Sequence, residues 1–214
     1  MYVNTNYNSL VSRSNLFSTN NDLSKSMERL SSGLRINGAA DDAAGLAIST
    51  RMTSQVKGME QAFRNAQDGV SLIQTTEGAM GTITDMLQRM RELAVQADNG
   101  TYSATDKASM QSEVDSLIAE VDHIAKNTTF NGIKVLDTPA TTVDLHISEK
   151  STDTVTVTLT DATVATLGVA AADLDLTTDA QGAIDSIDAA IATVSTARGE
   201  LGATQNRLGF ISDS

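Results

Sequence analysis

The chain has 214 residues, of which 3% are aromatic, with no Trp and no Cys, and its formal net charge is −12. The missing cysteines exclude disulfides and thiol chemistry, and so few aromatic residues are poor material for a compact enzyme core. The acidic charge argues against a nucleic-acid partner, because a phosphate backbone needs a basic surface. No apolar run approaches membrane-spanning length, so we predict no membrane insertion.

The first predicted helix covers about residues 5–32 and carries a thin apolar stripe. The stripe residues follow heptad spacing, as in a coiled coil, and are Leu16, Leu23, Met27, Leu30 and Leu34. An isolated helix with so narrow a stripe is marginal in water. We therefore expect this helix to need a partner stripe.

The segment Leu30–Thr50 has the residues of a sharp link between two helices. Gly33 and Gly38 can take positive φ, and Asp41 and Asp42 can cap the helix that follows. Adjacent carboxylates could also suggest a magnesium site, but capping and the helix dipole explain this position better.

The second predicted helix is the longest, from about Asp42 to Asp98, or roughly 85 Å. Its seam keeps strict heptad spacing through Met52, Met59, Ala66, Ile73, Met80, Leu87 and Ala94. The companion positions change side partway: Val56, Phe63 and Val70 come four residues after a seam position, and Ile83, Met90 and Ala97 come three after. We therefore expect different neighbours to cover its two halves.

Two further helices are predicted, over about 105–126 and 180–211. The first follows the capping segment Ser103–Asp106, and its expected apolar face contains Met110, Val114, Leu117, Val121 and Ile124. The second has its seam at Ile187, Val194, Leu201 and Leu208, with Ile184 and Ile191 beside it.

Between these helices the apolar period changes to two, which predicts a β-hairpin over about 142–160. Its alternating apolar residues are Val143, Leu145 and Ile147, then Val155, Val157 and Leu159. A further short strand is predicted near residues 132–136, and Pro139 falls in the connection, where it disturbs no ladder.

Candidate catalytic residues do not assemble into a site. His123 and His146 are isolated from each other in the pattern, and a zinc site needs three or four clustered ligands. The methionines sit largely on helical seams, where core filling explains them. We therefore predict that the chain is not an enzyme and has no catalytic, cofactor-binding or metal site.

Five ordered segments resemble bacterial flagellin. They are LSSGLRINGAADDAAGLAIST (30–50), RNAQDGVSLIQTTEGAM (64–80), LQRMRELAVQADNGT (87–101), NTTFNGIKVLD (127–137) and LGATQNRL (201–208). The resemblance implies a mainly α fold, an elongated bundle of long coiled-coil-like helices with one small hairpin region. Residues 1–34 would form an N-terminal inner-shell helix and residues 35–214 a rod domain, with no sizeable outer variable domain.

The resemblance also implies function. A flagellin is a structural subunit of the flagellar filament that self-assembles through its terminal helices and is recognised by host Toll-like receptors. It is exported by the flagellar type III pathway without a cleaved signal. Flagellins continue past Leu208 into a C-terminal helix that also binds the export chaperone, so we expect a truncated flagellin in preference to a naturally short one. The alternatives are a hook–filament junction protein and a surface adhesin on the same helical rod.

One short motif is the expected receptor or subunit contact. Gln88, Arg89 and Leu93 match flagellin positions that Toll-like receptors contact, and Glu113 and Arg207 match positions on neighbouring helices of the same surface. The seam should leave Gln88, Arg89 and Glu92 pointing outward, with Leu93 partly exposed. The alternative is an ordinary exposed helix face with ion pairs that add little stability.

Overall fold

The computed structural model describes residues 6–137, 141–150 and 152–213, so the predicted position of Pro139 lies outside the described residues. In chain order the elements are α1 (Tyr7–Ser32), α2 (Ala43–Asp98), α3 (Ala104–Asn127), β1 (Thr129–Phe130), β2 (Ile133–Lys134), β3 (Thr142–His146), β4 (Thr154–Thr158), α4 (Val164–Leu167) and α5 (Ala180–Asp213). The predicted mainly α fold, with long helices and a small hairpin region, is confirmed.

The chain divides into two compact units, Met1–Lys57 and Gly58–Ser214. The boundary falls inside α2, whereas the sequence places a domain boundary after Leu34. The predicted division into an inner-shell helix and a rod domain stays a prediction. The two compact units are defined by contacts within one chain, whereas an inner shell is defined by how subunits pack in a filament.

In the first unit, the ends of α1 are set by local hydrogen bonds. The Asn6 side chain accepts from the Ser9 amide at 3.3 Å, and Gly33 ends the helix with φ 68° and donates its N–H to the Arg29 carbonyl. Gly38 does not take the positive φ that the sequence allows. Every stripe residue of α1 is exposed, and none of its residues is buried.

The two adjacent aspartates before α2 have different roles. Asp42 Oδ1 accepts the Gly45 amide at 2.9 Å and so caps α2, as predicted. Asp41 instead accepts the Asn37 amide of the preceding loop at 3.3 Å. Only one of the pair therefore serves the helix, and the other closes the turn that leads into it.

In the second unit, the seam of α2 is buried from Ala66 onward. Its buried seam residues are Ala66, Ile73, Met80, Leu87 and Ala94, with Ile83, Met90 and Ala97 beside them. At the other end of the helix the predicted seam is exposed, at Met52, Val56, Met59 and Phe63. Burial therefore begins near Ala66, before the companion positions change side between Val70 and Ile83.

Helices α3 and α5 supply the facing core. Helix α5 buries its whole predicted seam, Ile187, Val194, Leu201 and Leu208. Helix α3 starts with a capping box between Ser103 and Asp106, but its buried face is Met110, Val114, Ile118, Val121 and Ala125. The predicted Leu117 and Ile124 are only half-buried, because the covered arc is centred closer to Ile118.

The hairpin of β3 and β4 has the predicted alternation. Val143 pairs with Val157 and Leu145 with Val155, and the residues of β4 and its extension, Val155, Val157 and Leu159, are buried. The further strand predicted near residues 132–136 is one half of a second hairpin, β1 with β2, which turns at Asn131 and Gly132, both with positive φ.

The segment between β4 and α5 belongs to the core, although it reads as a linker in the sequence. It contains the single turn α4 and buries Leu167, Val169, Leu174 and Leu176. Gln111 of α3 holds this segment, because its Nε2 donates to the Leu174 carbonyl and its Oε1 accepts the Leu176 amide, both at 2.8 Å.

Candidate assembly and receptor-contact surfaces

Arg89 is the centre of an ion-pair cluster that joins α2 to α3. Its Nε and Nη2 both donate to Glu113 Oε1, at 3.1 and 2.9 Å, and its Nη1 donates to Glu92 Oε2 at 3.0 Å. The hydrogen bonds to Glu113 first, and to Glu92 second, raise the pKa of Arg89 above its usual value. The Arg89 side chain is 49% exposed, so a planar cation with spare donors faces outward.

Arg91 forms the corresponding link to α5. Its Nε donates to Asp188 Oδ1 at 2.6 Å and its Nη2 donates to Oδ2 at 3.3 Å. This two-pronged hydrogen bond raises the pKa of Arg91. Arg89 and Arg91 therefore mark the two edges of the α2 surface that α3 and α5 cover.

Leu93 corrects the sequence prediction, because it is buried, with 3% of its surface exposed. Successive helical residues are rotated by about 100°, so Leu93 lies only about 40° around α2 from Arg89, on the side of the core. Leu93 therefore lies in the core on the side of α2 that is adjacent to the Arg89–Glu113 ion pair. The prediction of partial exposure is wrong, because the buried arc of α2 is wider than the seam of Leu87, Met90 and Ala94 and includes Leu93.

Val95 is the exposed apolar residue of this face, and the sequence analysis missed it. It lies seven residues after Gln88 and three after Glu92, so the three share one side of α2. Gln88, Glu92 and Val95 are all exposed. Heptad spacing from Gln88 could have identified Val95, because residues seven apart lie on the same side of a helix. Leu93 does not have this spacing.

Arg207 is exposed but does not join the Arg89 cluster. A Cβ added at Gly69 would lie 3.3 Å from Leu208 Cδ1, so Arg207 sits at the level of Gly69 on α2. Twenty residues of α2 separate Gly69 from Arg89, which is about 30 Å along the helix. The predicted single surface therefore contains Glu113 beside Arg89, and Arg207 lies about five turns away.

The heptad stripe of α1 forms a second candidate surface. Four of the predicted members, Leu16, Leu23, Met27 and Leu30, are exposed on α1, and the fifth, Leu34, is exposed beyond the end of the helix, because Gly33 in the left-handed conformation ends α1 before it. Soluble proteins seldom expose so regular an apolar row unless it packs against something. In the second unit, Met59 and Phe63 are exposed as well, and they line a cavity of about 410 Å³ together with Ile147 and Glu149.

These surfaces suit protein contact better than chemistry. Among residues 6–137, 141–150 and 152–213, no three His, Cys, Asp or Glu side chains are grouped to hold a metal ion. In the same ranges no helix combines the length and the apolarity needed to cross a membrane. Long helices with ion-paired edges and exposed apolar rows are typical of helical proteins that pack against other proteins.

Known proteins place the chain in a family. The family model described as "Bacterial flagellin N-terminal helical region" matches residues 3–141. A flagellin of Halalkalibacterium halodurans is 46% identical over 210 residues, which cover 97% of this chain and 77% of that protein. Flagellin 1 of Proteus mirabilis is 48% identical over 181 residues, and the chain spans only half of its length.

Solved structures agree with this. The crystal structure of Bacillus cereus flagellin matches with a TM-score of 0.64 and 37% identity, over 71% of this chain and 88% of that one. A putative flagellar hook-associated protein from Vibrio parahaemolyticus matches with a TM-score of 0.68 but 13% identity, over 82% and 93%, which shows a shared fold alone. The chain belongs to the flagellin family, the structural subunits of the bacterial flagellar filament.

Proposed function

We propose that this chain self-assembles with other flagellin subunits through the exposed apolar rows of α1 and of the first half of α2. The observation that carries the proposal is the α1 stripe, in which Leu16, Leu23, Met27 and Leu30 are all exposed, followed by exposed Leu34 just beyond the end of the helix. Fully burying one Leu or Met side chain contributes about 1.5–3 kcal/mol. Five such residues meeting a partner stripe supply enough free energy to offset the ordering of a marginal helix.

A matched pair of double variants tests this assignment. Leu23→Asp with Leu30→Asp puts two charges in the stripe, and Ser24→Asp with Ser31→Asp puts the same charges, at the same spacing, one position around α1. The readout is co-sedimentation of the purified chain with filament fragments of the Halalkalibacterium halodurans flagellin. We expect the leucine variant to lose at least ten-fold in binding and the serine variant to stay near the parent. Equal losses in both would overturn the role of the stripe.

The Arg89 cluster is proposed as the contact that a neighbouring subunit or a host Toll-like receptor uses. Gln88, Arg89, Glu92 and Glu113 supply the exposed polar groups, and Arg is enriched at interface hot spots. Leu93 does not contact the partner directly in this proposal. It packs in the core and so holds α2, which carries the cluster, in place. Arg207 forms at most a separate contact, because of its distance along α5.

Arg89→Ala tests the cluster, and Arg91→Ala is its control. Both arginines are about half-exposed and ion-paired across helices, so each substitution should change stability by no more than about 1 kcal/mol. We expect Arg89→Ala alone to weaken binding to a Toll-like receptor ectodomain by about 1–2 kcal/mol. Calorimetry and a binding titration decide. A stable Arg89→Ala variant that binds like the parent would remove Arg89 from the surface.

Export and location follow the family in this proposal. The subunit would leave the cell by the flagellar type III pathway without a cleaved signal and function in the extracellular filament. The family's export chaperone is a further partner in this proposal. No enzymatic role is proposed, since flagellins are structural proteins.

A hook–filament junction protein is the second candidate, and the shared fold with the Vibrio parahaemolyticus protein is what favours it. The much higher identity to flagellins weighs against it. Electron microscopy separates the two, because a filament subunit extends long filaments and a junction protein does not.

A further inference from the structure

The described methionines of this protein range from exposed to fully buried, and Met86 and Met110 lie between these extremes. Met27, Met52 and Met59 are 63%, 57% and 56% exposed. Met80 and Met90 are fully buried. Met52, Met59 and Met80 lie on the same heptad seam of α2, so one helix carries both exposed and sheltered thioethers at equivalent seam positions.

Exposure decides whether a thioether can react with a small oxidant. A peroxide transfers one oxygen atom to a lone pair of the methionine sulfur, which is oxidised to the sulfoxide while the peroxide is reduced to water or an alcohol. The sulfur must be accessible for this to occur. Met27, Met52 and Met59 meet that condition, and the core methionines do not.

We propose that Met27, Met52 and Met59 are oxidative modification sites for peroxides, and that their oxidation weakens self-association without unfolding the protein. The predicted effect on self-association rests on the proposed function of the exposed apolar rows. Met27 stands within the α1 stripe, between Leu23 and Leu30, and Met52 and Met59 are successive seam residues of α2.

The consequence follows from the polarity of the sulfoxide. Its S–O group is a strong hydrogen-bond acceptor, and an apolar seam has no donor to satisfy it. Packing against such a stripe therefore becomes unfavourable. The fold itself should tolerate the change, because none of the three side chains belongs to the buried core of its unit. The same exposure admits sulfoxide reductases, which makes the modification reversible.

The site assignment is tested by treating the folded chain with hydrogen peroxide and following each methionine by peptide mass spectrometry. We expect Met27, Met52 and Met59 to react at least ten-fold faster than Met80 and Met90. Repeating the reaction in denaturant should make all five rates similar, which shows that the fold causes the difference. Equal rates in the folded protein would overturn the assignment.

The consequence is tested by the same co-sedimentation assay, with circular dichroism to show that the helices persist. Peroxide should reduce co-sedimentation of the parent at least five-fold and leave the triple variant Met27→Leu, Met52→Leu, Met59→Leu unaffected, because Leu keeps the volume and apolarity without the sulfur. Unchanged binding of the oxidised parent, or equal loss in the triple variant, would overturn it. If the untreated parent does not co-sediment, the proposed function fails, and the oxidation rates still decide the sites.

Discussion

Leu93 and Val95 lie two positions apart on α2 and have opposite surroundings. Leu93 is packed in the core, and Val95 is exposed on the face that carries Gln88 and Glu92. Their chemistry is similar, so the difference is set by which side of the helix α3 and α5 cover.

Truncating each of these residues measures that difference. Leu93→Ala removes buried methyl groups and should destabilise the protein by about 2–5 kcal/mol. Val95→Ala should change stability by no more than about 0.5 kcal/mol, as for other exposed sites. Urea unfolding of both variants is the measurement. A nearly neutral Leu93→Ala would mean that α3 does not cover this side of α2.

The carboxyl of Asp175 has a pKa well below its ordinary value. Hydrogen bonds from the Thr177 hydroxyl first, and then from the Thr178 hydroxyl, lower the pKa of its carboxyl from 3.8 to about 2. A carboxyl whose folded pKa is depressed contributes stability above its unfolded pKa, and this contribution disappears as pH falls through the folded value.

Thr177→Val should therefore raise the pKa of Asp175 toward its ordinary value. The stability advantage of the parent over this variant should be complete near pH 6, shrink below pH 4 and vanish only below pH 2, once the folded carboxyl is protonated as well. A carbon-detected NMR titration of the Asp175 carboxyl and urea unfolding at three pH values check both parts. An unchanged pKa in the variant would show that the Thr177 hydrogen bond is not its cause.

At the scale of the element, α2 contains glycines with different surroundings. At one position a side chain would collide with a neighbouring element, and at another there is room for it. A Cβ added at Gly69 would collide with Leu145 Cδ1 of the hairpin, so the hairpin approaches α2 closely there. A Cβ added at Gly78 would meet nothing within 4 Å. Only the first glycine has a packing reason.

Replacing each glycine by alanine separates these cases. Gly69→Ala should destabilise the protein by about 1–3 kcal/mol through overpacking. Gly78→Ala should stabilise it by up to about 1 kcal/mol, because Ala is the better helix former and Gly costs more backbone entropy. Thermal unfolding compares the two. A stabilising Gly69→Ala would show that Leu145 moves aside at little cost.

At the scale of the whole molecule, charge is divided unequally along the chain. Residues 1–57 contain six Lys or Arg and four Asp or Glu, a net charge of +2, whereas residues 58–214 contain nine and 23, a net charge of −14. Like charges oppose self-association. The first unit, which carries the α1 stripe, is therefore the part of the chain in which this repulsion is weakest.

The two units should also differ in their resistance to hydrogen exchange. α1 has no buried residue, so amides across Leu16–Leu30 should exchange close to unprotected rates in dilute protein, while Ile73 and Leu87 in the second unit should be strongly protected. Mass spectrometry of exchange at low concentration is the measurement. Strong protection across Leu16–Leu30 would contradict the view that α1 is ordered by a partner.

The sequence alone predicted the four long helices, the β3–β4 hairpin and the buried seams of α5 and of the second half of α2, but it missed α4 and β1. Heptad spacing predicted Ile73, Leu87 and Leu201 as core, and period two predicted the hairpin, because these patterns report local backbone geometry. The sequence also predicted helix capping at Asp42 and Ser103, because a capping side chain contacts only residues in the first turn of its own helix.

Only the tertiary structure decided how wide each buried arc is and which distant groups meet. Two neighbours cover α2, which buries Leu93 and leaves Val95 as the exposed apolar residue. Gln111, more than 60 residues earlier, holds the backbone of Leu174 and Leu176. Helix α5 runs antiparallel to α2, so Arg207 lies near the level of Gly69 and far from Arg89. No local pattern encodes these relations, because they depend on how many helices surround a residue and at what level they cross.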